Sequence, residues 1–241
     1  MAEKRDQRER FEHYWRTGFI DLAAEAKGVT GPSLHNLKEY HAEPVEWTVA
    51  AMEVVADEAG TAALEDILTR CACTYPETSL EELRELFRQT ADLPLVHCRL
   101  QEQFLREIRP YKQLDDRHMQ FIIDEGMGMA GTLEMTDESD RGGFLIRATK
   151  IPKEFRRWFD EPDRLQRRQL YCHCPRIRDA VISNGESGRL SLRYCLCGAG
   201  FYRHLWEYLL ERPVTVAVTE SVLAGGERCR IEIRGSVSGG S

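Results

Sequence analysis

Apolar residues recur three and four positions apart through most of the first half of the chain. Trp47, Ala51, Val54 and Val55 form one stripe between Glu43 and Gly60, and Leu64, Ile67, Leu68 and Cys71 form the next. This is the period of helices that bury one face. Tyr75-Pro76 predicts the end of the second helix, because the residue before a proline is pushed out of helical conformation. Ser79, with Glu82 three residues on, reads as a capping box ahead of Leu83, Leu86 and Phe87. A further helix is expected from about Asp92 through Leu100, Phe104 and Ile108 to a stop at Pro110. Residues 17 to about 110 therefore read as helices joined by short turns.

After Pro110 the pattern changes. Gly126, Gly128 and Gly131 precede a polar turn from Thr136 to Gly143, and Phe144-Leu145-Ile146 reads as a strand. The last hundred residues alternate in type. The expected order is a strand ending near Cys172, a short helix from Pro175 to Ser183, a turn at Asn184-Gly185, a strand from Leu190 to Tyr194, and a longer helix from about Gly200 to Glu211. Strands Val214 to Val218 and Arg228 to Ile233 then flank Gly225-Gly226 as a hairpin. The fold class this predicts is α+β. A helical region spans 1–111, an α+β domain with a mainly antiparallel sheet and a C-terminal hairpin spans 112–234, and 235–241 is a Gly/Ser tail expected to be disordered.

Composition narrows the functional classes. The chain has 241 residues, 42% hydrophobic and 30% charged, with a net charge of -7, enough to bury a core without disulfides. That charge argues against a general nucleic-acid binder, which neutralises phosphates with a basic face. The run Arg156, Arg157, Arg164, Arg167 and Arg168 is interrupted by Asp160, Glu161 and Asp163, so it reads as a solvated face. No stretch approaches the roughly 20 apolar residues of a membrane helix, and the charged segment Met1 to Arg16 lacks the apolar centre of a secretory signal. The expectation is a cytoplasmic protein without a membrane partner, in which eight cysteines act as thiols, metal ligands or redox groups rather than structural disulfides.

The candidate chemistry lies in two units, Cys172-His173-Cys174-Pro175 and Cys195-Leu196-Cys197-Gly198. On a strand, residues two apart point the same way, so each pair can reach one centre. Both units also stand where a helix is expected to begin, and the positive end of a helix favours a thiolate. Parallel neighbouring strands would bring the two helix starts to one edge. Four soft sulfur donors suggest zinc held by Cys172, Cys174, Cys195 and Cys197. The plainer reading is small buried thiols, and Cys-x-Cys is a weaker zinc signature than Cys-x2-Cys. His173 is expected on the opposite face. Cys71 reads as core, Cys73 as free to serve the site, and His97 and Cys98 as bundle residues.

The stretch Tyr171 to Ile233 resembles the carboxy-terminal part of the 4-vinyl reductase domain superfamily, whose fold is shared with TRAPP subunits. The resemblance rests on Gly200-Phe201-Tyr202, Trp206 and Leu209, then Pro213-Val214-x-Val216-x-Val218, Glu220, and Gly225-x3-Cys229-x-Ile231. It is also similar to the L-2-amino-thiazoline-4-carboxylic acid hydrolase family, which shares the hairpin ending in Gly-x3-Cys. These resemblances cover about a quarter of the chain. They imply a TRAPP-like domain that binds a small organic ligand beside a zinc site, with Cys229 and Glu220 contributed by the hairpin. Ser221 stands where that pattern has a cysteine.

The leading expectation is thus a small-molecule-binding protein with a cysteine-rich zinc site. If it is a hydrolase acting on an amide-like or thiazoline bond, Cys174, Cys197 or Glu220 would carry the proton, and Phe201, Tyr202 and Trp206 would line the ligand pocket. The alternatives are a non-catalytic sensor or scaffold with structural zinc, in which ligand shifts a homodimer, and thiol redox chemistry, in which Cys174 or Cys197 attacks and a neighbour resolves.

Overall fold

The computed structural model describes residues 2–71, 76–136, 143–183 and 188–237. Seven helices come first: α1 (Ala2–Glu25), α2 (Gly31–Glu39), α3 (Pro44–Ala59), α4 (Thr61–Arg70), α5 (Glu81–Thr90), α6 (Leu93–Lys112) and α7 (Asp116–Asp124). Two strands follow, β1 (Thr132–Thr136) and β2 (Gly143–Thr149), and then α8 (Phe155–Asp160) and α9 (Arg164–Tyr171). The chain ends with α10 (Leu196–Leu210), β3 (Thr215–Glu220) and β4 (Arg230–Ser236). The fold is α+β, as expected. No helix among the described residues is long and apolar enough to cross a membrane.

The strands form one antiparallel sheet in the order β1-β2-β4-β3. Register is fixed by the alternation of apolar residues: Ile146 pairs with Ile233, Ala148 with Ile231, and Val216 and Val218 with the same two isoleucines from the other side. These side chains make one face that must be covered, since a shift by one residue would turn the whole set to the other side. Helix α10 packs on β3 and β4, and its other neighbours are α4 and α5. The buried residues, from Trp15 to Ile233, form a single cluster, so the helical region and the sheet share one core. At the start of β1, Gly131 has φ +65 and lies against the Arg147 carbonyl, where a Cβ would meet backbone. Only glycine meets both demands.

Several local expectations are corrected. No strand ends at Cys172: Asp163 caps α9, its side chain accepting from Gln166 N, and the helix runs to Tyr171 before Pro175 turns the chain away. Leu190 to Tyr194 is not a strand either, because the Ser191 hydroxyl accepts from Arg193 N and starts a 3-10 turn, Leu192–Cys195. Helix α10 begins four residues earlier than expected, at Leu196. Ser79 lies in a 3-10 turn and caps nothing, and Leu80 precedes α5. Pro110 does not stop α6, which continues for two residues and closes at Gln113 in the left-handed region. In the last turn a missing N–H breaks little. Arg168 is not on a solvated face: it is buried and donates to the carbonyls of Val181 and Val222. Gly235 and Ser236 belong to β4 rather than a disordered tail. The turn expected at Asn184-Gly185 and the middle of the one from Thr136 to Gly143 lie outside the described residues, as do Cys73 and Tyr75.

Candidate functional site: a thiol cluster at the ends of five elements

The two Cys-x-Cys units do meet, although neither is on a strand. Cys172 and Cys174 follow the last residue of α9, and Cys195 and Cys197 bracket the start of α10. Tyr194 hydroxyl lies 3.1 Å from Cys174 Sγ, and Cys174 and Cys197 are close enough for the charge on one to disfavour charge on the other. Cys229, just before β4, joins the same cluster, since its charge bears on both Cys172 and Cys195. Cys195 Sγ is 3.0 Å from Ser221 Oγ, so the serine at the position of an expected cysteine still faces the thiols. Cys172 is buried, while Cys71, Cys174, Cys195, Cys197 and Cys229 are half-buried.

Cys197 differs from its neighbours. Cys197 Sγ stands 3.8 Å from the carbonyl of Cys71, the residue that closes α4, and Trp15 Nε1–H donates to it from α1 at 3.3 Å; the Cys71 thiol itself donates to the Leu68 carbonyl at 3.3 Å. The neighbouring Cys71 thiol is the main cause that holds the Cys197 thiol below its ordinary pKa. Burial opposes this, and Trp15, Lys150 and Arg176 assist. Position in the first turn of α10 acts in the same direction. Cys71 is correspondingly pushed up, first by the neighbouring Cys197 and then by burial. Burial also raises Cys172, Cys174, Cys195 and Cys229. One thiolate is thus favoured among protonated thiols.

Two cations flank the cluster. Arg176, wholly buried, forms a two-pronged ion pair with Glu12 of α1, Nε to Oε2 at 2.5 Å and Nη2 to Oε1 at 3.0 Å. It also donates to Thr48 Oγ1 at 3.0 Å and Tyr194 hydroxyl at 3.1 Å, and lies 3.8 Å from the centre of the Trp15 ring. Lys150, the residue after β2, donates its N–H to the Cys229 carbonyl at 3.0 Å and accepts from the Tyr171 hydroxyl. Its ammonium stands 3.2 Å from where a Cβ on Gly198 would be.

The remaining sequence candidates are placed as follows. Glu220 Oε1 accepts from the N–H groups of Glu227 and Arg228 at 2.9 and 3.0 Å, so it closes the β3–β4 connection. Tyr202 and Trp206 are buried and Phe201 is half-buried against the core. His173 is exposed and bonded to the Ile151 carbonyl at 2.6 Å. His97 stacks on Trp206 and bonds to the carbonyls of Ala130 and Gly131. Cys98 is exposed.

Among the described residues, no three of His, Cys, Asp and Glu are grouped so that they could hold a metal ion. The sulfurs expected to share zinc are turned to different partners: Cys174 to Tyr194, Cys195 to Ser221, and Cys197 to Trp15 and Cys71. Glu12, Trp15, Lys150 and Arg176 were not among the sequence candidates, and Cys71 was read there as core; their places beside the cluster depend on contacts distant in sequence. Comparison with family models, with curated proteins and with solved structures found no match.

Proposed function

We propose that the cluster is a thiol–disulfide exchange centre in which Cys197 attacks and Cys71 resolves. The observation that carries this reading is the place of Cys197 at the amino end of α10, with the Trp15 indole N–H donating to its sulfur at 3.3 Å and Cys71 beside it, the Cys71 carbonyl 3.8 Å from Cys197 Sγ. The thiolate is the nucleophile in such exchange. Cys197 thiolate attacks one sulfur of a substrate disulfide, forming a mixed disulfide and expelling the other half as a thiolate that takes up a proton. Cys71 then gives up its proton and attacks Cys197 Sγ. The second half of the substrate leaves as a thiol and a Cys71–Cys197 disulfide remains. Two electrons pass from the protein dithiol to the substrate disulfide.

Treatment of the reduced protein with a small disulfide, followed by peptide mapping, tests this. The expected product is a Cys71–Cys197 disulfide. Cys71→Ser should stop at a mixed disulfide on Cys197, and Cys197→Ser should leave Cys71 unmodified. Oxidation that joins other pairs while Cys197 stays free would overturn the proposal.

A further inference from the structure

Lys150 is held by its backbone on two sides: its N–H is bonded to the Cys229 carbonyl and its carbonyl receives the Tyr171 hydroxyl. The side chain runs from there to the beginning of α10, with the ammonium beside Gly198, the residue after Cys197. Among the described residues no carboxylate is paired with it, and the ammonium stands 6.0 Å from the centre of the Tyr202 ring. Arg176, the other cation, is by contrast occupied by Glu12. The positive charge of Lys150 bears on Cys195, Cys197 and Cys229 together. A cation with no carboxylate beside it is open to a charge-assisted bond with an anion on a bound molecule.

We infer that the Lys150 ammonium is the counter-ion for an anionic group on the molecule that meets Cys197, so that the disulfides this centre takes are small ones bearing a carboxylate. This rests on the thiol-exchange reading. A carboxylate against Lys150 sets its disulfide beside Cys197, because Gly198 carries no side chain to come between them. The pairing also gives the charge at this place a partner other than the Cys197 sulfur, to which Trp15 already donates.

The probes are three disulfides of similar length: 3,3'-dithiodipropionate (anionic), 2-hydroxyethyl disulfide (neutral) and cystamine (cationic). Initial rates of mixed-disulfide formation at Cys197 are measured in full-length Cys71→Ser protein, which stops after the first step. The readout is the ratio of anionic to neutral rate, because a change in the thiolate fraction cancels in it. The expected ratio is about tenfold, as for a charge pair shielded in part from water, with cystamine slowest. Lys150→Met should bring the ratio close to that of a free thiol, and Lys150→Arg should restore it; Lys150→Gln replaces the methionine variant if that does not fold. A parent protein with no anionic preference, or a preference that survives loss of the charge, overturns the inference and leaves the exchange centre standing. Failure of Cys197 to react with even the neutral disulfide overturns both.

Discussion

Replacing Arg176 by methionine keeps most of the side-chain volume and removes the charge that joins α1 to the thiol cluster. The guanidinium is wholly buried, while the Glu12 carboxylate is 17% exposed. Removing one member of a buried pair typically costs about 3–5 kcal/mol. Here the lower end applies, because Glu12 retains Arg16, 2.5 Å away, and methionine can pack against Trp15. Glu12→Gln should cost as much or more, since it leaves a cation in the core with only Thr48, Tyr194 and the Trp15 ring. The double variant Arg176→Met/Glu12→Gln should lose less than the sum of the two, by about 1–3 kcal/mol, as groups in direct contact do. Urea titration of the four proteins gives these values if the transitions are two-state with equal slopes. For a chain of this size, a loss of about 3 kcal/mol lowers Tm by about 6–12 °C. A loss below about 1 kcal/mol in Arg176→Met, the range of exposed ion pairs, or strict additivity in the double variant, would refute the idea that this pair anchors the amino-terminal helix.

The other predictions concern the thiolate and the backbone. The rate of Cys197 alkylation by iodoacetamide should rise with pH through a pKa below the ordinary thiol value of about 8.5, because the neighbouring Cys71 thiol, and after it the Trp15 indole, favour the thiolate. Trp15→Phe removes the indole donor at 3.3 Å and should move that inflection up by about one unit, the size of one hydrogen bond to a charged group. An unchanged profile in Trp15→Phe would count against the bond. Gly131→Ala places a methyl group against the Arg147 backbone at a positive φ and should lower stability by more than about 1 kcal/mol, seen as a Tm at least about 2 °C lower; an equal or higher Tm would contradict the close approach.

The helices of the first half were legible because one-sided burial leaves a period in the sequence, and Trp47, Ala51 and Val55 are buried where that period puts them. The strands of the final hairpin were legible for the corresponding reason, since Ile231 and Ile233 alternate with polar residues. Errors arose where local composition imitates another element. Leu190-Ser-Leu-Arg-Tyr alternates like a strand, and Leu190 and Tyr194 are both buried as a strand would have them, but the Ser191 hydroxyl accepts from Arg193 N and turns the chain into the 3-10 turn Leu192–Cys195. Helix α1 was not anticipated over its first turns because they are almost entirely charged. Among the residues whose side chains are described, its buried ones are Trp15, Phe19, Ile20 and Ala23.

The clustering of the cysteines was legible, but the reason first given for it was not the operative one. Two strands were expected to align the pairs, whereas every half-buried cysteine of the cluster lies at or next to the end of an element. Cys71 closes α4, Cys174 follows α9, Cys195 and Cys197 open α10, and Cys229 precedes β4. Lys150 likewise follows β2. At such ends the chain carries backbone N–H and carbonyl groups outside the regular ladders, and the side chains are released from the alternation that would bury them in a sheet or along a helix face. Converging five ends therefore concentrates donors and thiols in one place without requiring any sequence period. Cys71 shows the consequence: it packs against the core as its place in the apolar stripe of α4 suggested, its thiol donating to the Leu68 carbonyl, but as the residue that ends the helix it also presents its carbonyl to Cys197 Sγ at 3.8 Å. The spacing of Cys-x-Cys marks where the chain changes direction, and the groups that contact Cys197 Sγ come from α1 and the end of α4, more than 120 residues away in sequence.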